Sequence, residues 1–171
     1  MTKGARFDPY ALFESLERHR VGYVVIGGFA RVVHGSGELT RGLDIAPSLR
    51  EDNLRHLANA VEEVSAPRAT IEALRTGDLA EEEPMNIVTS AGRLRVVPRP
   101  WGTRGYDDFR IRANRENLGR GVRPQIASTV DLVRMLEAST RTRDLERLQR
   151  LRRMMELERR RTRRRGLSIE R

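Results

Sequence analysis

The chain of 171 residues contains no cysteine, a single lysine and few aromatic residues. The lack of cysteine excludes disulfide frameworks and thiolate metal sites. Its three histidines, His19, His34 and His56, do not have the short spacings of a zinc site. No apolar run approaches the ~20 residues of a membrane-spanning helix, and the first ten residues lack the apolar core of a signal peptide. We therefore expect a cytoplasmic protein that makes no membrane contact.

Positive charge comes almost entirely from arginine and is concentrated in the last part of the chain. Of 33 basic residues, 32 are arginine, and the net charge is +9. Residues 141–171 hold 13 arginines against five acidic residues, a net of +8, so residues 1–140 are close to neutral. Such asymmetry indicates either a surface for RNA or another polyanion, or a solvated helix with an arginine-rich composition. The candidate nucleic-acid contacts are Arg159, Arg160, Arg161, Arg163, Arg164 and Arg165.

Local patterns predict an α/β domain over residues 1–140, in which helices flank a small mixed β-sheet. A basic helix and a disordered tail follow over residues 141–171, because the sequence past Arg159 has no apolar stripe. Capping patterns at Asp8, Ser48 and Ser128 predict three helix starts. The predicted helices cover 8–19, 29–34, 48–64, 106–113, a segment from 128 and another from 144, with a helical turn at 71–74. The predicted strands cover 21–26, 40–45, 86–90 and 94–97, with a hairpin at 116–126.

The segment from Tyr23 to Asp44 carries the clearest functional pattern. An apolar strand runs to Ile26, the pair Gly27-Gly28 follows, a helix begins, and the next strand carries Asp44. Glycine lets backbone N–H groups approach a phosphate, and a helix N-terminus attracts anions. An acid on the neighbouring strand can hold a divalent metal. The pattern indicates a triphosphate site beside a metal, although glycine pairs also occur in ordinary turns.

These residues resemble the nucleotidyltransferase superfamily, whose signature is a Gly-Gly or Gly-Ser turn followed by an Asp-x-Asp pair. The likeness covers residues 8–150 and is closest to the minimal bacterial group that includes AbiEii-type toxins of type IV toxin–antitoxin pairs. The segments 25–36, 40–45, 102–108 and 127–135 carry it. It implies a nucleotidyltransferase fold, a nucleoside triphosphate, Mg²⁺, tRNA or a protein hydroxyl as acceptor, and a cognate antitoxin. The residues it implies are Asp44 for catalysis and metal binding, and Gly27, Gly28, Thr40, Arg41, Arg134 and Asp144 for the nucleotide.

Three positions depart from that family pattern where the chemistry takes place. Gly42 stands at the first acid of the pair, Arg95 at a third acid, and Leu136 at a lysine. Glycine offers no metal ligand, and an arginine repels the cation that an aspartate would bind. We therefore predict a degenerate pseudoenzyme that binds nucleotide or RNA. Two alternatives stay open: an active magnesium-dependent transferase toxin, and a non-catalytic module that binds nucleic acid or an acidic partner.

Overall fold

The computed structural model describes residues 5–167. Within that range the chain forms seven helices and a six-stranded mixed sheet, so the predicted mixed α/β fold is confirmed. In chain order the elements are α1 (Pro9–Arg18), β1 (Tyr23–Ile26), α2 (Gly27–Val33), β2 (Gly42–Pro47), α3 (Glu51–Glu63), α4 (Arg68–Thr76), β3 (Met85–Thr89), β4 (Gly92–Val96), α5 (Tyr106–Phe109), β5 (Asn114–Arg115), β6 (Gln125–Ile126), α6 (Thr129–Glu137) and α7 (Thr142–Leu167).

The sheet has the strand order β3-β4-β2-β1-β6-β5. The pairs β1–β2, β3–β4 and β5–β6 are antiparallel, whereas β1–β6 and β2–β4 are parallel. All four residues of β1 are buried, which is expected of a central strand covered on both faces. The register places Ile26 opposite Asp44 and Asp44 opposite Arg95. The end of β1, the middle of β2 and the end of β4 therefore meet at one place.

Two of the three predicted helix caps are confirmed. The Asp8 carboxylate accepts a hydrogen bond from the Ala11 N–H at 3.1 Å, and the Ser128 hydroxyl accepts one from the Asp131 N–H at 3.1 Å. The predicted cap at Ser48 is wrong, because α3 begins only at Glu51 and has no side-chain cap. The Ser48 carbonyl accepts a hydrogen bond from the side-chain amide of Asn53 at 2.8 Å, which holds Ser48 in the connection before the helix.

Several short elements differ from their predicted lengths. Residues 68–76 form a complete helix where one turn was predicted, because Ile71 and Leu74 are buried and α4 packs against α3. In contrast, α5 ends at Phe109, four residues before the predicted end at Ala113. The chain turns there, so that the Arg112 guanidinium lies 2.7 Å from the buried carboxylate of Asp131. The hairpin predicted at residues 116–126 is confirmed: backbone hydrogen bonds join Glu116 to Pro124 and Leu118 to Val122, and its regular strands β5 and β6 are only two residues long.

The long helix α7 joins the domain core through its first half. Leu148 and Leu151 are buried with the central hydrophobic cluster, and α7 packs on α6. The helix then continues to Leu167, past Arg159, where we expected it to fray. From Glu156 to Arg164 every side chain is exposed. The rest of the expected disordered tail, residues 168–171, lies outside the described range. Within that range no helix is both long and apolar enough to cross a membrane.

We predict that two leucines of α7 contribute very differently to stability. Leu151→Ala should lower the free energy of unfolding by about 2–5 kcal/mol, because it leaves a cavity in a packed core. Leu157→Ala, on the same helix but 56% exposed, should change it by no more than about 0.5 kcal/mol. Urea denaturation of both variants measures the difference. Equal effects would contradict the docking of α7 described above.

Candidate functional site

A cleft of about 330 Å³ opens at the place where β1, β2 and β4 meet. The start of α2, the loop after β4 and the α6–α7 connection complete its walls. The structure brings together here most of the residues selected from the sequence. Those lining the cleft are Gly27, Gly28, Thr40, Arg41, Asp44 and Asp144, together with the three departures from the family pattern, Gly42, Arg95 and Leu136.

Asp44 lies directly against the first residue of α2. Gly27 has a φ of +68°, and a Cβ atom added there would come 2.5 Å from Oδ2 of Asp44. The left-handed backbone and the close approach both require glycine. The first glycine of the pair therefore makes room for the Asp44 carboxylate, which no local pattern in the sequence indicated.

Two arginines of β4 face the cleft beside β2. Strand residues two apart lie on the same face, and the parallel register pairs Gly42 with Arg93 and Asp44 with Arg95. A guanidinium nitrogen of Arg95 lies 3.8 Å from Oδ2 of Asp44, an ion pair too long for a hydrogen bond. Arg93 was missed by the sequence analysis, although the alternation Arg93-Leu94-Arg95 is a period-two signal that places both arginines on one face.

The space beside Gly42 is restricted by its neighbour on β4. A Cβ atom at position 42 would lie 2.9 Å from the backbone oxygen of Arg93 and 2.9 Å from its Nε atom. A backbone atom cannot move aside as a side-chain end can. An aspartate at this position would therefore require β2 and β4 to shift. The present strand register has no space for the missing acid.

The Asp44 carboxylate is held in a strongly positive environment. Burial raises its pKa, and the charges of Arg95, Arg93, Arg31 and Arg147 oppose that rise without overcoming it. The pKa of Asp44 is raised overall because water is largely excluded from its side chain, which is 20% exposed. Four guanidinium groups thus act on one acid, although burial outweighs their combined effect on its pKa.

The second glycine of the pair lies under another ion pair. The guanidinium of Arg31, 8% exposed, makes two hydrogen bonds of 2.9 Å to the carboxylate of Glu38. Ser36 donates a third hydrogen bond to Glu38. Oε1 of Glu38 lies 3.3 Å from the position that a Gly28 Cβ would take. A carboxylate of the chain itself therefore lies beside Gly28, where the sequence analysis expected a phosphate.

The other predicted nucleotide contacts have different surroundings. The Thr40 hydroxyl donates to the Gly42 carbonyl at 2.9 Å, whereas Arg41 is exposed at the cleft. Asp144 is buried and accepts hydrogen bonds from Ser139 at 2.5 Å and from Arg147 at 2.9 Å. Burial acts to raise the pKa of Asp144, but these two hydrogen bonds and the Arg147 charge outweigh burial and lower it.

Arg134 does not line the cleft. Its guanidinium lies 3.1 Å from Asp108 and 3.2 Å from the fully buried Asp131, one turn earlier on α6. The position of Arg134 therefore does not support the predicted nucleotide contact, because both acids hold the side chain elsewhere. The i, i+3 spacing of Asp131 and Arg134 on a helix could have indicated this pairing.

The six arginines predicted to bind nucleic acid lie on the distal half of α7, and none of the five whose side chains the structure describes lines the cleft. Arg160 pairs with Glu156 one turn earlier at 2.5 Å. The side chain of Arg165 lies outside the described part of the chain. Nucleic-acid contact by this surface stays a prediction.

The residues at Asp44 do not fit the magnesium ion that the family resemblance implies. Hard divalent cations need several oxygen ligands. Here Gly42 supplies none, Glu38 is bonded to Arg31, and Arg95 is paired with Asp44. Within residues 5–167 no group of three or more His, Cys, Asp or Glu side chains could hold a metal ion. The charges around Asp44 suit an anion better than a cation.

Comparison with known proteins gives no family for the chain. No known family model matches the sequence, and no curated protein matches it. The likeness to nucleotidyltransferases rests on the motif residues given above.

We predict that replacing the two acids of the cleft by their neutral amides shifts the melting temperature in opposite directions. The raised pKa of Asp44 means that its ionised form destabilises the fold, so Asp44→Asn should raise the melting temperature at pH 7. For Glu38, burial acts to raise the pKa, but hydrogen bonding and charge from Arg31 and the Ser36 hydrogen bond lower it overall. Its stabilising contribution is present above the unfolded pKa of about 4.3 and is lost as the pH falls through the folded pKa. Glu38→Gln should therefore lower the melting temperature at pH 7.

Both differences should shrink as the pH falls and the two carboxylates become protonated. Thermal melts of the parent and both variants between pH 3 and pH 7 measure this. Shifts of the same sign at pH 7 would show that the charges around the two acids are not as described.

We further predict that position 42 does not tolerate a side chain. Gly42→Ala should cost about 1–3 kcal/mol of stability, because the added methyl group meets the backbone of Arg93. Gly37→Ala is the matched control, since no atom lies within 4 Å of the added Cβ. Urea denaturation compares the two. If both variants are as stable as the parent, the strand register at Gly42 must differ.

Proposed function

We propose that this chain is a degenerate nucleotidyltransferase-fold protein that binds a nucleoside triphosphate through its phosphates and does not transfer a nucleotide. The observation that carries the proposal is the arrangement of Arg93 and Arg95 on β4, opposite Gly42 and Asp44. A transferase of this superfamily would use carboxylates here to hold metal ions. In this chain guanidinium groups supply the positive charge instead.

Three cleft arginines are available to a phosphate. Arg41, Arg93 and Arg143 are exposed, line the cleft and have no ion-pair partner within 4.0 Å among residues 5–167. The planar guanidinium fork matches two phosphate oxygens, and its charge is permanent. Because Glu38 lies beside Gly28, the phosphates would contact the β4 and α7 arginines rather than the glycine turn.

The same arrangement disfavours nucleotide transfer. Two-metal phosphoryl chemistry needs carboxylates that bridge ions about 3.5–4 Å apart. Asp44 alone cannot supply the several oxygen ligands that two ions need, and its carboxylate is paired with Arg95. In this proposal Asp44 fixes Arg95 in the cleft, and binding of the triphosphate needs no metal.

Polyanion binding through α7 is a second candidate. It is favoured by the continuation of this helix to Leu167 with its arginines exposed from Arg159 to Arg163. A helical array of guanidinium groups would bind RNA without sequence preference and with a strong salt dependence. Truncation after Glu158 separates the two candidates, because it removes that array and leaves every cleft residue in place.

ATP binding measured by calorimetry, once with Mg²⁺ and once with EDTA, tests the proposal. We expect similar affinity in both, because arginines rather than a metal hold the phosphates. Arg93→Ala should weaken binding about 10- to 100-fold, the typical effect of losing a charged hydrogen bond. Arg68→Ala, an exposed arginine of α4 outside the cleft, is the matched control and should bind like the parent.

Incubation with labelled nucleoside triphosphates, Mg²⁺ and total tRNA or protein should give no incorporation above background. Robust incorporation that disappears in Asp44→Ala would replace the proposal by an active transferase. ATP binding that requires Mg²⁺ would contradict the metal-free site. If truncation after Glu158 abolishes ATP binding, the distal half of α7 rather than the cleft holds the phosphates.

A further inference from the structure

Trp101 is the only tryptophan of the chain, and it lies in the wall of the arginine-lined cleft. Its side chain is 49% exposed. Single exposed apolar residues are common on protein surfaces and by themselves carry no function. Trp101 differs because it shares one cavity with the phosphate-binding candidates, and because the loop that carries it is tightly fixed.

The loop of residues 98–105 is rigid for identifiable reasons. Gly102 has a φ of +72°, and a Cβ atom there would lie 2.8 Å from Cβ of Ala138 on the end of α6. Gly105 has a φ of +86°, and its Cβ would lie 2.6 Å from the Pro98 carbonyl oxygen. Only glycine fits either position. Thr103 closes the turn between them, since its N–H and its hydroxyl both donate to the Pro100 carbonyl.

A cation already lies over the indole ring. The guanidinium carbon of Arg141 is 5.0 Å from the centroid of Trp101. Arg141 is exposed, so its flexible side chain can leave the ring when a flat ligand enters. Leu39, 92% exposed, adds a second apolar surface to the cleft. An aromatic and an aliphatic surface beside several arginines suit a ligand with one flat apolar part and one anionic part.

We propose that Trp101 is a stacking platform for a nucleobase, next to the phosphate-binding arginines of the same cleft. This inference rests on the proposed function. It adds a contact for the base, the part of the nucleotide that the arginines do not bind. A cavity of about 330 Å³ is of the size that holds one small ligand. Indole accepts every base, because each base has a π-face. The cleft therefore selects a nucleotide over inorganic polyphosphate, with little preference among bases.

Trp101 supplies its own signal for the test, since all tryptophan fluorescence of the parent protein comes from this one side chain. ATP should quench this fluorescence, whereas tripolyphosphate should bind with little quenching. Trp101→Ala should weaken ATP binding by about 5- to 150-fold, the range found for base–aromatic stacking, and leave tripolyphosphate affinity unchanged. Trp101→Phe should retain most of the ATP affinity. Calorimetry measures both ligands in these variants, and Ile111→Ala, an exposed apolar residue outside the cleft, is the control.

The outcomes separate this inference from the proposed function. If Trp101→Ala binds ATP as tightly as the parent, the stacking platform is overturned while phosphate binding stands. If the parent binds neither ATP nor tripolyphosphate, both fail. A short oligoadenylate tests whether the stacked base belongs to a free nucleotide or to RNA. If it quenches the fluorescence more strongly than ATP does at equal base concentration, Trp101 binds single-stranded RNA instead.

Discussion

The contact between the Asp44 carboxylate and the start of α2 is the constraint on which the cleft depends. Asp44 lies in the middle of the sheet, and Gly27 must lack a side chain for α2 to begin directly above it. The same carboxylate faces Arg95 across the parallel β2–β4 pair. One acid therefore fixes the distance between a helix start and two strands. Burial raises its pKa, so the fold keeps this carboxylate although its ionised form is destabilising at neutral pH.

Near this acid the carboxylates of Glu38 and Asp144 are already paired, whereas three arginines of the cleft are not. Glu38 is bonded to Arg31, and Asp144 to Ser139 and Arg147. Arg41, Arg93 and Arg143 remain exposed at the cleft. A phosphate entering the cleft would gain charged hydrogen bonds without breaking an internal ion pair, whereas a divalent cation would have to displace guanidinium groups from its ligands. This difference supports the proposal of a metal-independent nucleotide site.

Sequence patterns predicted the elements whose signals are local. The Asp8 and Ser128 caps, the strand before Gly27 and the strands β3 and β4 all depend on neighbouring residues. The contacts that decide the site depend on loop paths and strand register, and no spacing in the sequence indicated them. The pairing of Arg31 with Glu38 depends on the path of a loop, and the crowding at Gly42 depends on the register with β4. The cap predicted at Ser48 was wrong because α3 begins at Glu51, while the Asn53 side chain bonds to both Ser48 and the distant Gly22.

In the proposed function the arginines around Asp44 hold the phosphates and no metal ion binds there. Crystals of the protein grown with ATP and Mn²⁺ test it most directly, because anomalous scattering locates manganese independently of the phosphates. The account predicts phosphate density in contact with Arg93, Arg95 or Arg143 and no anomalous peak at Asp44. A manganese peak that bridges Asp44 and a phosphate oxygen would contradict it.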